Sequence, residues 1–151
     1  MKTLIKNGLV VDPANLVQTH LNLLLEDGKI VAVTEEEPEA DRVIDAAGKV
    51  VAPGFIDIHM HEDPVKDDKI QFCIFDAMLR MGVTTAVGGN CGINVYDPVK
   101  YLDLLERDGA PVNVMMFAGH QYYREAAGAL DKYSPVTEEQ RKTMKKGLEE
   151  A

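Results

Sequence analysis

The chain has 151 residues, 46% hydrophobic and 27% charged, enough for an ordinary soluble domain with a sizeable core. Sixteen basic residues face 25 acidic ones, and a formal charge of -9 argues against a polyanionic partner, so nucleic acid is excluded as an expected ligand. No apolar run approaches the roughly 20 residues needed to span a bilayer, and Met1 to Gly8 lacks the apolar stretch of a signal peptide. No membrane partner is expected, and a cytoplasmic location is the default.

From Lys2 to about Pro53 the pattern is short strands and tight turns, with strands expected at Thr3 to Val11, Leu21 to Leu25, Lys29 to Val33 and Val43 to Asp45. Asp27-Gly28 between two apolar runs is a two-residue hairpin signal, because a type I′ turn needs positive φ. Gly48-Lys49 marks another turn. The run Glu35-Glu36-Glu37-Pro38-Glu39 reads as a solvated loop, and His20 as incidental.

After Pro53 the rhythm becomes strand, loop, helix, repeated, which signals an α/β fold with a parallel sheet. The first unit pairs a strand from Phe55 to His61 with a helix from about Lys69 to Met81, capped by Asp67 or Asp68 and closed by Gly82. That helix is apolar nearly all round and should be buried on several sides, with Cys73 as packing. The second unit joins a strand from Val83 to about Gly88 to a helix opened by Asp97-Pro98 and ended by Gly109. The third pairs Val112 to Ala118 with a helix near Glu138 to Glu150, where Thr137 and Gln140 have capping-box spacing; Gln121 to Ser134 reads as irregular.

The densest chemical signal is His59-Met60-His61. Side chains two apart on a strand point the same way, so Phe55, Asp57, His59 and His61 share one face, while Ile56, Ile58 and Met60 take the other, expected to lie under helices. Neutral imidazole is a common zinc ligand, and two rings at the carboxyl end of a strand chelate one ion with little adjustment. At the end of the second strand, Gly88-Gly89-Asn90-Cys91-Gly92 sets a thiol among small residues. Two cysteines are too few for a disulfide framework, and alone Cys91 reads equally well as a small buried hydrophobe in a glycine turn. Functional groups gather at the carboxyl ends of parallel strands, however, so His59, His61 and Cys91 are expected to converge on a metal.

Asp57 lies deeper on the same face and is expected to accept a hydrogen bond from a ligand imidazole, fixing its tautomer. His120, at the end of the third strand, and Arg124 would grip a carboxylate-bearing substrate, or else be an ordinary surface pair. Asn90, beside the thiol, is a further candidate for substrate binding.

Together these residues resemble the amidohydrolase superfamily and, within it, the D-aminoacylase (N-acyl-D-amino-acid deacylase) family. Val51-Ala52-Pro53-Gly54-Phe55-Ile56-Asp57-Ile58-His59-Met60-His61 is similar to the superfamily's first barrel strand, and Gly82-Val83-Thr84-Thr85 leading into Gly89-Asn90-Cys91-Gly92 to the deacylase subgroup, as are Gly119-His120, Arg124 and Gly128. Related dihydroorotases and hydantoinases share the first motif but bridge their metals through a carboxylated lysine later in the chain.

The resemblance implies a metal-dependent TIM-barrel hydrolase. Residues 1–53 would form part of a small β-sandwich, and 54–151 the N-terminal part of a (β/α)8 barrel, about three of its eight strand-helix units. It implies one or two zinc ions, with His59 and His61 at a more weakly occupied position and Cys91 on the tightly held ion. The substrate would be a small N-acyl amino acid, cleaved at its non-peptide carbon–nitrogen bond. A barrel of this kind takes about 250 residues, so the resemblance covers an N-terminal portion. The catalytic aspartate is expected beyond Ala151, none lies within this segment, and the segment alone is expected to be inactive. Its partner would be the C-terminal barrel portion of the same protein or a complementary chain. Alternatives are another amidohydrolase, such as a dihydroorotase- or hydantoinase-like cyclic amidase or a dipeptidase, or a non-catalytic assembly subunit.

Overall fold

The computed structural model describes all residues from Met1 to Ala151 and divides into two compact units, Met1–Pro53 and Gly54–Ala151. The first is a five-stranded sheet of β1 (Lys2–Asp12), β2 (Val17–Glu26), β3 (Lys29–Thr34), β4 (Arg42–Asp45) and β5 (Val50–Val51). The order is β3-β2-β1-β4, with β5 also on β1; β1, β2 and β3 are successively antiparallel, whereas β4 and β5 run parallel to β1. The Asp27-Gly28 turn forms as the sequence predicts, with φ of 49° and 76°. A bulge between Ile5 and Gly8 puts Asn7 at φ 64°, and its N–H donates to the buried Asn22 side chain, which in turn donates to the carbonyls of Glu35 and Glu36. The acidic run is thereby tied to the sheet through two of its carbonyls, and the Glu37 carboxylate accepts from Lys6 Nζ at 2.8 Å.

The second unit contains β6 (Phe55–Asp57), a hairpin of β7 (Val65–Lys66) and β8 (Lys69–Ile70), α1 (Ile74–Arg80), β9 (Val83–Gly88), α2 (Pro98–Asp108), β10 (Asn113–Met116), α3 (His120–Ala126) and α4 (Glu138–Glu150). Its sheet is parallel throughout in the order β10-β9-β6, so β9 is central and β6 and β10 are edges. Ala86 and Val87 of β9 are buried, and α2 packs on the sheet through Tyr101, Leu104 and Leu105, the i, i+3, i+4 stripe of an amphipathic helix. The α2 boundaries match the sequence reading: Asp97 accepts from the Lys100 N–H at 3.0 Å, Pro98 fills the first position, and Gly109 ends the helix at φ 84°. The Thr137–Gln140 capping box of α4 is likewise present in both directions.

Four local expectations are corrected. Asp67 and Asp68 do not cap a helix: both have positive φ, 51° and 57°, and form the tight turn between β7 and β8. α1 therefore starts at Ile74, five residues later than the sequence suggests, and its amide groups are met from a distance by Asp63. That carboxylate, fully buried, accepts from the N–H groups of Cys73 (3.2 Å), Ile74 (2.8 Å) and Phe75 (3.0 Å). Cys73 is exposed at the helix start instead of packed, and only Phe75 and Met78 of α1 are buried, with Ile74, Leu79 and Met81 outward. The segment Gln121 to Ser134, read as irregular, contains most of α3, a seven-residue helix without a side-chain cap. Finally, the first strand ends at Asp57, and Ile56 and Ile58 are exposed instead of covered.

Replacing Asp63 by alanine would leave three amides at the start of α1 without their acceptor, the Phe75 N–H fully buried, and is expected to destabilise the protein by about 3 kcal/mol in denaturant unfolding, with accelerated exchange at Ile74 and Phe75; Asp63→Asn should cost less. Unchanged stability in Asp63→Ala would refute the remote cap. Burial, and then donation to Asp97 at 3.1 Å, pushes the Tyr122 phenol up to about 12. Unfolded tyrosine titrates near 10, so the unfolded state loses its proton first; this contribution is complete below about pH 10 and is lost as pH rises toward 12. An alkaline unfolding series should show that decline, and Tyr122→Phe should make it shallower, with Tyr101 and Tyr123, also raised by burial, keeping the remainder.

Candidate metal centre

The site begins where β6 ends. The Asp57 carboxylate accepts from the backbone N–H of His59 at 3.0 Å, a local turn that leads the chain out of the strand. Asp57 thus acts on the backbone of His59, whereas the sequence reading had it bonded to an imidazole. Alternation persists past the strand: Met60 is buried, its N–H donating to the Val87 carbonyl, while His59 and His61 stay exposed on the other side. Their ring centroids are 6.0 Å apart with planes inclined at 65°.

Across from them the chain leaves β9 through Gly89 at φ 74° and makes one 3-10 turn, Asn90–Gly92, with Cys91 itself left-handed at φ 60°. Glycine at 89 is required twice over. Its φ is positive, and a Cβ there would fall 2.1 Å from the Phe117 carbonyl oxygen. Asn90 bolts the turn to the strand ends, donating to the carbonyls of Val87 at 2.6 Å and Met60 at 3.4 Å.

This turn carries Cys91 Sγ to 3.4 Å from His59 Nε2, and one donor atom from each of His59, His61 and Cys91 lies within 4.8 Å of the others. A tetrahedral zinc with Zn–N near 2.05 Å and Zn–S near 2.3 Å would hold its nitrogen and sulfur about 3.5 Å apart. The His59–Cys91 separation fits, and so does the chemistry, since thiolate with two imidazoles is a donor set suited to zinc and poorly suited to hard cations.

Below the three donors lies a polar layer that the motif reading did not find. Glu62, 3% exposed, accepts through Oε1 from the Gly89 N–H at 2.8 Å and from Asn94 Nδ2 at 2.9 Å. Asn94, also buried, accepts from the Gly119 N–H at 2.7 Å and donates to the Phe117 carbonyl at 3.2 Å. The carboxyl ends of β6, β9 and β10 are therefore joined by one carboxylate and one amide. The available signal was two acids, Glu62-Asp63, directly after the His59-Met60-His61 motif.

The remaining candidates lie apart from the donor cluster. His120 opens α3, exposed, with its backbone close to Gly92. The Arg124 guanidinium donates to the carbonyls of Asp131 and Ser134, both at 2.5 Å, and so organises the loop after α3.

A profile of the amidohydrolase family matches residues 42–139. A D-aminoacylase from Alcaligenes xylosoxydans xylosoxydans is 30% identical over 172 aligned positions, covering 98% of this chain and 35% of that protein. A dihydroorotase from Elusimicrobium minutum is 43% identical over 88 residues, covering 56% of this chain and 20% of that protein. Among solved structures, the N-acyl-D-glutamate deacylase of Bordetella bronchiseptica, complexed with zinc and a phosphonate mimic of the tetrahedral intermediate, superposes with a TM-score of 0.79 at 27% identity, over 99% of this chain and 35% of that one. The chain thus spans about a third of the length of the D-aminoacylase and the deacylase, and its matching segment a fifth of the dihydroorotase. No helix is long and apolar enough to cross a membrane.

Cobalt(II) added to the full-length protein is expected to give a near-ultraviolet thiolate-to-metal charge-transfer band, absent in Cys91→Ser. A band of equal intensity in that variant would remove Cys91 from the metal.

Proposed function

Because this chain belongs to the amidohydrolase family, we propose that it forms the metal-binding portion of a zinc-dependent hydrolase that splits N-acyl-D-amino acids into a D-amino acid and a carboxylate. The observation that carries this reading is the convergence of His59, His61 and Cys91. Sulfur at this position favours the deacylases over the cyclic amidases, and similarity to a D-aminoacylase extends along almost the whole chain, whereas similarity to a dihydroorotase stops short.

In this reading β6, β9 and β10 with their helices are the first three strand-helix units of a (β/α)8 barrel, and Met1–Pro53 contributes to a small β-sandwich. Edges β6 and β10 carry exposed Phe55, Ile56 and Met115, with Ile58 and Phe117 just beyond their ends, an apolar border that further barrel strands of the same protein or a complementary chain would cover. Zinc bound there would supply a Lewis acid for the scissile carbonyl and lower the pKa of an attacking water toward about 7. Cys91 would hold such an ion as a thiolate and the imidazoles as neutral donors, so that metal loading would release the thiol proton. Asp57 holds the backbone on which His59 is mounted. Asn90 adjoins Cys91 in the β9 turn and the His120 backbone lies close to Gly92 of that turn, where the substrate's polar groups would lie, and Arg124 shapes the loop that follows α3.

The test is a substrate panel on the full-length, zinc-loaded protein. N-acyl-D-amino acids should be hydrolysed in preference to hydantoins and dihydroorotate, chelation should abolish turnover, and added zinc should restore it. Cys91→Ala should lose bound zinc and about 100-fold or more in kcat/KM. Full zinc content with undiminished deacylation in that variant, or turnover confined to cyclic amides, would overturn the assignment.

A further inference from the structure

Glu62 follows His61 in the chain but is buried while His61 is exposed, and it stands outside the donor cluster. We propose that Glu62 is the positioning residue that holds Cys91 in register with His59, acting through Gly89 and Asn94 without touching the metal; the proposal rests on the zinc reading above.

The two groups that Glu62 Oε1 binds, the Gly89 N–H and the Asn94 side-chain amide, stand on either side of Cys91 in the chain. Between them the backbone takes the left-handed region three times, at Gly89, Cys91 and Gly92, with φ of 74°, 60° and 75°. A cysteine adopts that conformation at a cost and keeps it only where the surroundings over-determine the chain. Here the determination comes from both ends. Gly89 is held to the β6 end by Glu62, and Asn94 is held to Glu62 and, through Gly119 and Phe117, to the β10 end. Gly88 leaves room for the clamp, since a Cβ there would lie 3.2 Å from both Glu62 Cγ and Oε1.

Both bonds fall on one oxygen, while Oε2 is buried without a partner in the chain. The function described is therefore that of an acceptor, not of a charge. A glutamine presents the same carbonyl oxygen at the same reach and should rescue it; an alanine presents none.

The experiment uses the full-length protein as parent, Glu62→Gln, Glu62→Ala, Asn94→Ala and Cys91→Ser, with circular dichroism to verify folding. Zinc affinity is measured against a chromophoric chelator, and the thiolate-to-cobalt band is recorded on cobalt(II)-loaded samples. Glu62→Ala is expected to bind zinc about tenfold or more weakly and to lose most of the band, Asn94→Ala to move in the same direction, and Glu62→Gln to stay within about threefold of the parent with its band retained. A folded Glu62→Ala with parental zinc affinity and band would overturn the proposal, as would a folded Glu62→Gln that behaves like alanine. Should Glu62→Ala not fold, a parental band in Asn94→Ala overturns it equally. Loss of the band in Cys91→Ser but not in the clamp variants defeats this proposal alone, whereas a band that survives Cys91→Ser defeats the zinc reading beneath it.

Discussion

A carboxylate removed from water must be met by donors, and directly after the histidine pair the chain buries two in succession. Asp63 is met by three backbone amides and thereby decides where α1 begins. Glu62 is met by one backbone amide and one side-chain amide and thereby joins three strand ends. The two act in opposite directions from one peptide unit, one organising the helix that covers the sheet and the other the loops that cap it. Much of the second unit's local geometry follows from satisfying these groups, because an unmet buried donor or acceptor costs about 1–3 kcal/mol, a large share of a domain's net stability.

What could be read from sequence was chemistry that acts over a few residues. Asp27-Gly28, Asp97-Pro98, Thr137 with Gln140, and the extent of β9 each depend on neighbours within one turn, and each forms as its local pattern says. What could not be read was chemistry that acts across the fold. Asp67-Asp68 looked like a helix cap because aspartate caps helices, but aspartate also tolerates the left-handed region, and the hairpin claimed both. The true acceptor for α1 lies ten to twelve residues upstream, beyond any local pattern. α3 was missed for the related reason that nothing in its own side chains caps it.

The donor cluster was legible to a different degree. His59 and His61 share exposure with buried Met60 between them, an alternation outlasting a strand that ends at Asp57, and parallel topology brings Cys91 to the same end of the sheet. Neither says how near the sulfur comes. That distance is set by the left-handed turn at Cys91 and by Asn90, Asn94 and Glu62, residues whose types suit many roles and whose joint role appears only when three strand ends are seen side by side.

The left-handed backbone at Cys91 also limits which elements this position can present to a cation. β-branched side chains are strained there, while glycine, asparagine and aspartate enter that region most easily. An oxygen donor would thus be at least as comfortable on this turn as a sulfur one. The shape of the loop does not select for softness; the side chain does, so a swap of cysteine for aspartate would alter the site's preference toward magnesium- or manganese-like ions without asking the main chain to move.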